Sequence, residues 1–150
     1  MKTLVRLAML SLLLVTCLGT ALAEKPGHHP RYLHALSDLR DARAHLDLLA
    51  ANEKRDAEET QAIRKIDDAI KELKKASIDD GKNLNDHPPI DAKLMREGRY
   101  HKALALLDAA HKDASQEEDD AKAQGLQGRV IADIDEAHRI VEKLVIKYKK

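Results

Sequence analysis

Phenylalanine and tryptophan are absent from the chain, and Tyr32, Tyr100 and Tyr148 are its only large rings. A core filled by Leu, Ile, Val and Ala brings helices close together and leaves few deep pockets, which disfavours a buried organic cofactor. Cysteine occurs once, as Cys17, so no disulfide can form within the chain and stability rests on packing. An excess of one charge is also missing. The 26 basic residues balance 26 acidic ones, which offers no broad attraction for nucleic acid or anionic lipid. Proline is confined to positions 26, 30, 88 and 89, leaving long stretches free to be helical. Beyond residue 23 no apolar run approaches the ~20 residues that span a bilayer.

The one apolar run lies at the start. Lys2 and Arg6 precede Leu7–Val15, and Ala21-Leu22-Ala23 supplies the small residues of a signal-peptidase site. Residues 1–23 therefore read as an export signal, and a periplasmic or secreted location is expected for residues 24–150. Lipidation at Cys17 is the alternative to cleavage after Ala23, although Thr16 stands where a lipobox has a smaller residue. Cleavage would leave 24 basic and 26 acidic residues, a net charge of −2 on a chain long enough for one core.

What the chain does contain is a repeat. An offset of 68 residues places Arg31-Tyr32 on Arg99-Tyr100, Ala35-Leu36 on Ala103-Leu104, Leu39 on Leu107 and Ala42 on Ala110. The same offset, without a gap, places Ile63 on Ile131, Ile66 on Ile134, Asp67 on Asp135 and Ala69 on Ala137. Two separate segments obeying one register define a unit of helix, turn and helix, present twice.

Apolar residues in both units recur at spacings of three and four, the helical period. The first seam holds Tyr32, Ala35, Leu36, Leu39, Ala42, Leu46 and Leu49. The second holds Ala62, Ile63, Ile66, Ala69, Ile70 and Leu73. The third holds Tyr100, Ala103, Leu104, Leu107, Ala110 and Ala114, and the fourth Val130, Ile134, Ala137, Val141, Val145 and Tyr148. Turns fall near Asn52–Asp56 and Gln116–Asp120. Between hairpins at about 30–77 and 98–148, residues 78–97 form a turn-rich crossover with room for a short helix over Asp91–Glu97. Neither hairpin buries its stripe alone, so the expected fold is all-α, an antiparallel four-helix bundle.

Eight histidines, at positions 28, 29, 34, 45, 87, 101, 111 and 138, all lie beyond residue 23. Neutral imidazole binds borderline transition metals. With Leu39 at the centre of the buried face, His34 and His45 point to solvent, and Asp38 and Asp41 stand between them on one strip. The pairs His34/Asp38 and Asp41/His45 share the i,i+4 spacing that lets two side chains grasp one ion. A turn near residue 119 makes His138 level with Tyr100 and His101, so His101/His138 is a further candidate, with His87 or Asp91 reaching the same end. The alternative reading is structural: a solvated, charge-paired strip, and a boundary histidine satisfied by the tyrosine hydroxyl. His111, beside the third seam, reads as structural. No histidine is preserved between the copies, so any metal site postdates the repeat.

Enzyme signatures are missing: no Cys-x-x-Cys-His, no Glu-x-x-His, no His-Glu-x-x-His and no phosphate loop. A calcium loop fails at Ile78 and Ala76, where oxygen ligands are required before Asp80-Gly81.

Ile63–Lys71, Val130–His138 and Glu97–Leu104 resemble segments of the small histidine-rich periplasmic metal-binding proteins. That resemblance implies an exported helical bundle binding copper or other divalent ions. The chain departs from the pattern at Lys65, Glu72 and Lys102, where the resemblance leads one to expect imidazoles. The sequence thus points to a non-catalytic exported bundle, with copper, zinc or nickel as candidate ions and His34, Asp38, Asp41, His45, His101 and His138 as candidate ligands. A module of the cell envelope that binds another protein or a second copy of itself, without metal, is the competing expectation.

Overall fold

The computed structural model describes residues 30–76, 83–116 and 124–149. The proposed leader, the Asp79–Gly81 part of the crossover and residues 117–120 of the second turn lie outside them. Four helices make up the fold: α1 Pro30–Asp47, α2 Ala57–Ala76, α3 Arg96–Gln116 and α4 Gln124–Tyr148.

Local chemistry sets the ends. Proline suits the first helical position, where its missing N–H is not needed, and α1 begins at Pro30. Arg55 closes the other end of α1 by donating to the carbonyls of Leu46 (3.4 Å) and Asp47 (2.9 Å). Asp56 and Glu59 form a capping box at the start of α2. The Asp56 carboxylate accepts from the Glu58 N–H at 3.2 Å, and the Glu59 carboxylate accepts from the Asp56 N–H at 2.6 Å.

The apolar seams meet as expected for a four-helix bundle. Tyr32, Leu36, Leu39, Leu46, Ile66, Ile70, Leu73, Tyr100, Leu107, Ile134 and Leu144 are all fully buried. Each such aliphatic side chain contributes about 1.5–3 kcal/mol through burial. Register 68 reappears in the burial pattern: Tyr32 and Tyr100, Leu39 and Leu107, Ala42 and Ala110, and Ile66 and Ile134 are buried pair by pair. Ile140 and Leu144 also enter the core, widening the α4 face beyond the expected stripe. Leu49 lies past the end of α1 and is partly exposed.

Helix α1 packs on α2 and α3, and α4 packs on α3 and α2. Side-chain pairs give the directions. His34 of α1 faces Asp113 of α3, Arg43 of α1 faces Asp67 of α2, Glu58 of α2 faces Lys147 of α4, and Asp108 of α3 faces His138 of α4. Every neighbouring pair is therefore antiparallel, and the order is up-down-down-up. Lys65 and Asp133, related by the 68-residue offset, meet across α2 and α4 at 2.9 Å.

This topology requires the crossover to climb the length of the bundle, about 30 Å for a helix of this size. Its described residues, from 83 onward, run against the first hairpin. Leu84 packs against the core beside Ile70, and Asn85, His87 and Ile90 share a hollow with Arg43 and Ala44. The short helix expected over Asp91–Glu97 does not form. The Asp91 carboxylate instead accepts from the Lys93 N–H (2.9 Å), its carbonyl accepts from the Leu94 N–H (3.1 Å), and α3 starts at Arg96. An Asp side chain that turns its own following backbone competes with helix at this point.

Candidate functional site

At the end of the bundle where α2 and α3 begin, Glu59 is buried. Its carboxylate accepts from the Tyr100 hydroxyl at 2.6 Å and from Arg96 at 3.2 and 2.8 Å. The Arg96 guanidinium also lies 4.4 Å from the centre of the Tyr148 ring, whose hydroxyl donates to Asp56 at 2.8 Å. Arg99 is buried too and pairs with Glu53. Burial and the Glu59 carboxylate push the Tyr100 hydroxyl well above the ordinary tyrosine range. Carboxylates, guanidinium groups and phenols here pair across the helix ends and latch them together, although the buried Arg99 Nε has no hydrogen-bond partner.

The histidines meet the expectations only in part. His34 is exposed, as the helical wheel implied, but the carboxylate near it is Asp113 of α3 at 3.9 Å. Asp38 stands close by and is half-buried. Burial, then Asp113 and Asp41, raise its carboxyl above the usual value, partly offset by His34. Asp41 and His45 do meet, at 3.6 Å. The expectation that His45 faces solvent is overturned, because its residue is only 4% exposed. The wheel assumed a single buried face, whereas α1 is covered by α3 on one flank and the crossover on another. Burial pushes the His45 imidazole below its ordinary value against the pull of Asp41, while Lys102, Arg99 and His87 add to the lowering. Its buried Nδ1 has no hydrogen-bond partner.

His101 and His138 are not brought together. His101 pairs with Glu97 of its own helix at 3.9 Å. His138 faces Asp108 at 3.2 Å and Glu142 at 3.8 Å, and the Tyr100 hydroxyl belongs to Glu59. The α3–α4 register is centred near residue 123 instead of 119, since Asp108 opposes His138 and His111 opposes Asp135. His138 is consequently level with Asp108, about 12 Å along α3 from Tyr100. His87 lies on α1 beside Ser37 and Ala44, and Asp91 is engaged in its turn, so neither joins His138.

The helix-to-helix register exposes a pairing that the wheel reading missed. Asp108-x-x-His111 on α3 runs antiparallel to Asp135-x-x-His138 on α4, giving two cross-groove pairs, His138–Asp108 at 3.2 Å and His111–Asp135 at 3.4 Å. They border a hollow of ≈ 240 Å³ floored by Leu107 and Ile134. The equal spacing of the two motifs is visible in the chain, but their alignment depends on how α3 and α4 slide along each other. Among the described residues no group of three or more His, Cys, Asp or Glu side chains is gathered as a metal cage. What the helices offer is pairs: each of their five histidines has a carboxylate within 4 Å.

Among those described residues, no helix is long and apolar enough to cross a membrane. Compared with known proteins, the chain matches no family model, no curated protein and no solved structure.

Proposed function

We propose that this is a non-catalytic helical bundle of the cell envelope that binds divalent transition-metal ions weakly through histidine–carboxylate pairs. The observation that supports the reading is the pairing of all five helical histidines with a carboxylate at 3.2–3.9 Å. Two of these pairs, His138–Asp108 at 3.2 Å and His111–Asp135 at 3.4 Å, already stand at the separation of two ligands on one zinc, copper or nickel ion. Two protein ligands leave the remaining positions to water, so each ion exchanges readily, as suits buffering more than tight storage. The envelope location rests on the leader pattern of residues 1–23.

Titration calorimetry of zinc and copper salts into the purified protein tests the proposal. Saturable heat with dissociation constants around 1–100 µM is expected for such pairs, roughly 5–8 kcal/mol of binding free energy. An absence of binding for both ions at 1 mM, checked by equilibrium dialysis, overturns it.

A further inference from the structure

We propose that the hollow at the start of α3 binds a small monocarboxylate whose body is apolar. This site is separate from the histidine–carboxylate pairs and does not depend on metal binding.

The first argument is an uncapped helix end. The Met95 carbonyl accepts the first bond of α3, from the Arg99 N–H at 3.0 Å. Met95 therefore holds the position where Ser, Thr, Asp or Asn would cap the helix. A methionine side chain has no oxygen for this, and this one is 71% exposed. Among the described residues no acceptor meets the backbone N–H of Arg96, Glu97 or Gly98. Helix α2 begins differently, with its first N–H groups held by Asp56 and Glu59. All three free donors of α3 belong to residues lining the hollow, and a helix start of this kind carries roughly half a positive charge.

The second argument is Arg99. Its side chain is 3% exposed and lines the same hollow. One terminal nitrogen donates to the Leu94 carbonyl at 2.9 Å and the other to Glu53. The buried Nε has no partner. A buried guanidinium N–H without an acceptor is costly, and a carboxylate entering the hollow supplies one. The repeat does not require this burial. The 68-residue register puts Arg31 at the matching place in the first hairpin, where it is exposed and donates to Gln116.

The walls and the charges narrow the ligand. The hollow measures ≈ 580 Å³, a size that takes small organic molecules, and Ala50, Ala92, Leu94 and Tyr148 give it apolar surface. Arg96 and Arg99 are already matched by Glu59 and Glu53. Lys93, also in the lining, makes no ion pair among the described residues. Glu97 lines the hollow too, 3.9 Å from His101 on its own helix, and opposes an anion. The small positive surplus suits one negative charge, not the two of phosphate.

Nuclear magnetic resonance of the ¹⁵N-labelled protein tests the site, because the amides of residues 96–98 and the Arg99 Nε–H give separate signals. Benzoate is the probe, benzamide its neutral isostere, and inorganic phosphate the anion without an apolar body. Benzoate should shift those four signals saturably, with a dissociation constant of about 0.1–5 mM. Benzamide and phosphate should each bind about tenfold more weakly or less. Met95→Asp, at an exposed position, gives α3 a capping carboxylate of its own. It should raise the thermal midpoint and weaken benzoate by about tenfold or more. Lys93→Glu, also exposed, should weaken benzoate about three- to tenfold with helix content unchanged by circular dichroism. Equal affinity for benzamide overturns the anion site, and tighter binding of phosphate overturns the monocarboxylate. No shift at residues 96–99 with about 20 mM benzoate, or undiminished binding in Met95→Asp, overturns the whole assignment. None of these results bears on the metal reading, which the zinc and copper titrations decide separately.

Discussion

Replacing Glu59 by alanine removes the acceptor at the centre of the latch between α2, α3 and α4. The carboxylate receives the Tyr100 hydroxyl at 2.6 Å, Arg96 at 3.2 and 2.8 Å, and the Asp56 backbone N–H at 2.6 Å. Its side chain is 1% exposed and that of Arg96 is 15% exposed. Breaking a buried ion pair from one side costs about 3–5 kcal/mol, because the remaining charge stays desolvated. Loss of a helix cap alone costs about 1 kcal/mol. The two overlap, and Arg96 keeps the Lys54 carbonyl at 2.6 Å and the Tyr148 ring, so the expected total for Glu59→Ala is about 3–5 kcal/mol. For a domain of this size that lowers Tm by roughly 10–20 °C. Urea unfolding followed by far-ultraviolet circular dichroism at pH 7 measures it. Glu59→Gln retains an acceptor for Tyr100 and should cost less, about 1–3 kcal/mol. A loss below about 1 kcal/mol for Glu59→Ala would refute the reasoning, since the pair would then be fully compensated by solvent.

Ile134→Ala, at a fully buried position of α4, should destabilise the bundle by about 2–5 kcal/mol through lost transfer energy and a cavity, read from the same urea curves. Tyr100→Phe should cost about 1–2 kcal/mol, the loss of one hydroxyl bonded to a buried carboxylate; no change in the midpoint contradicts this. Hydrogen bonding with Glu58 and with Lys147 and Tyr148 holds the Asp56 carboxyl well below its usual range, against burial, which raises it. As pH falls below about 4 the unfolded chain takes up this proton more readily than the folded one, so stability is lost there. Asp56→Asn should flatten that part of a stability–pH profile, and an unaltered acid limb excludes the assignment. His34→Ala, with a side chain 73% exposed, should move the urea midpoint by no more than about 0.5 kcal/mol equivalent.

Sequence alone determined the four helices, most of their buried seams and the 68-residue register that relates the two hairpins. Spacing of apolar residues reports the rotational phase of each helix about its own axis, which is a local property. Tyr32 and Tyr100, or Ile66 and Ile134, are buried for that reason wherever the neighbours stand. Phase also sufficed for His34, whose side chain stays 73% exposed. It failed for His45, whose burial depends on Arg99, Lys102 and the crossover arriving from distant parts of the chain. The groove of His111 and His138 was likewise decided in three dimensions. Periodicity is blind to sliding along the axis, and the observed pairing of α3 with α4 sets His138 against Asp108 instead of Tyr100. Which flanks α3 and the crossover would cover, and which carboxylate each imidazole would meet, depended on helix-to-helix packing that apolar spacing does not encode.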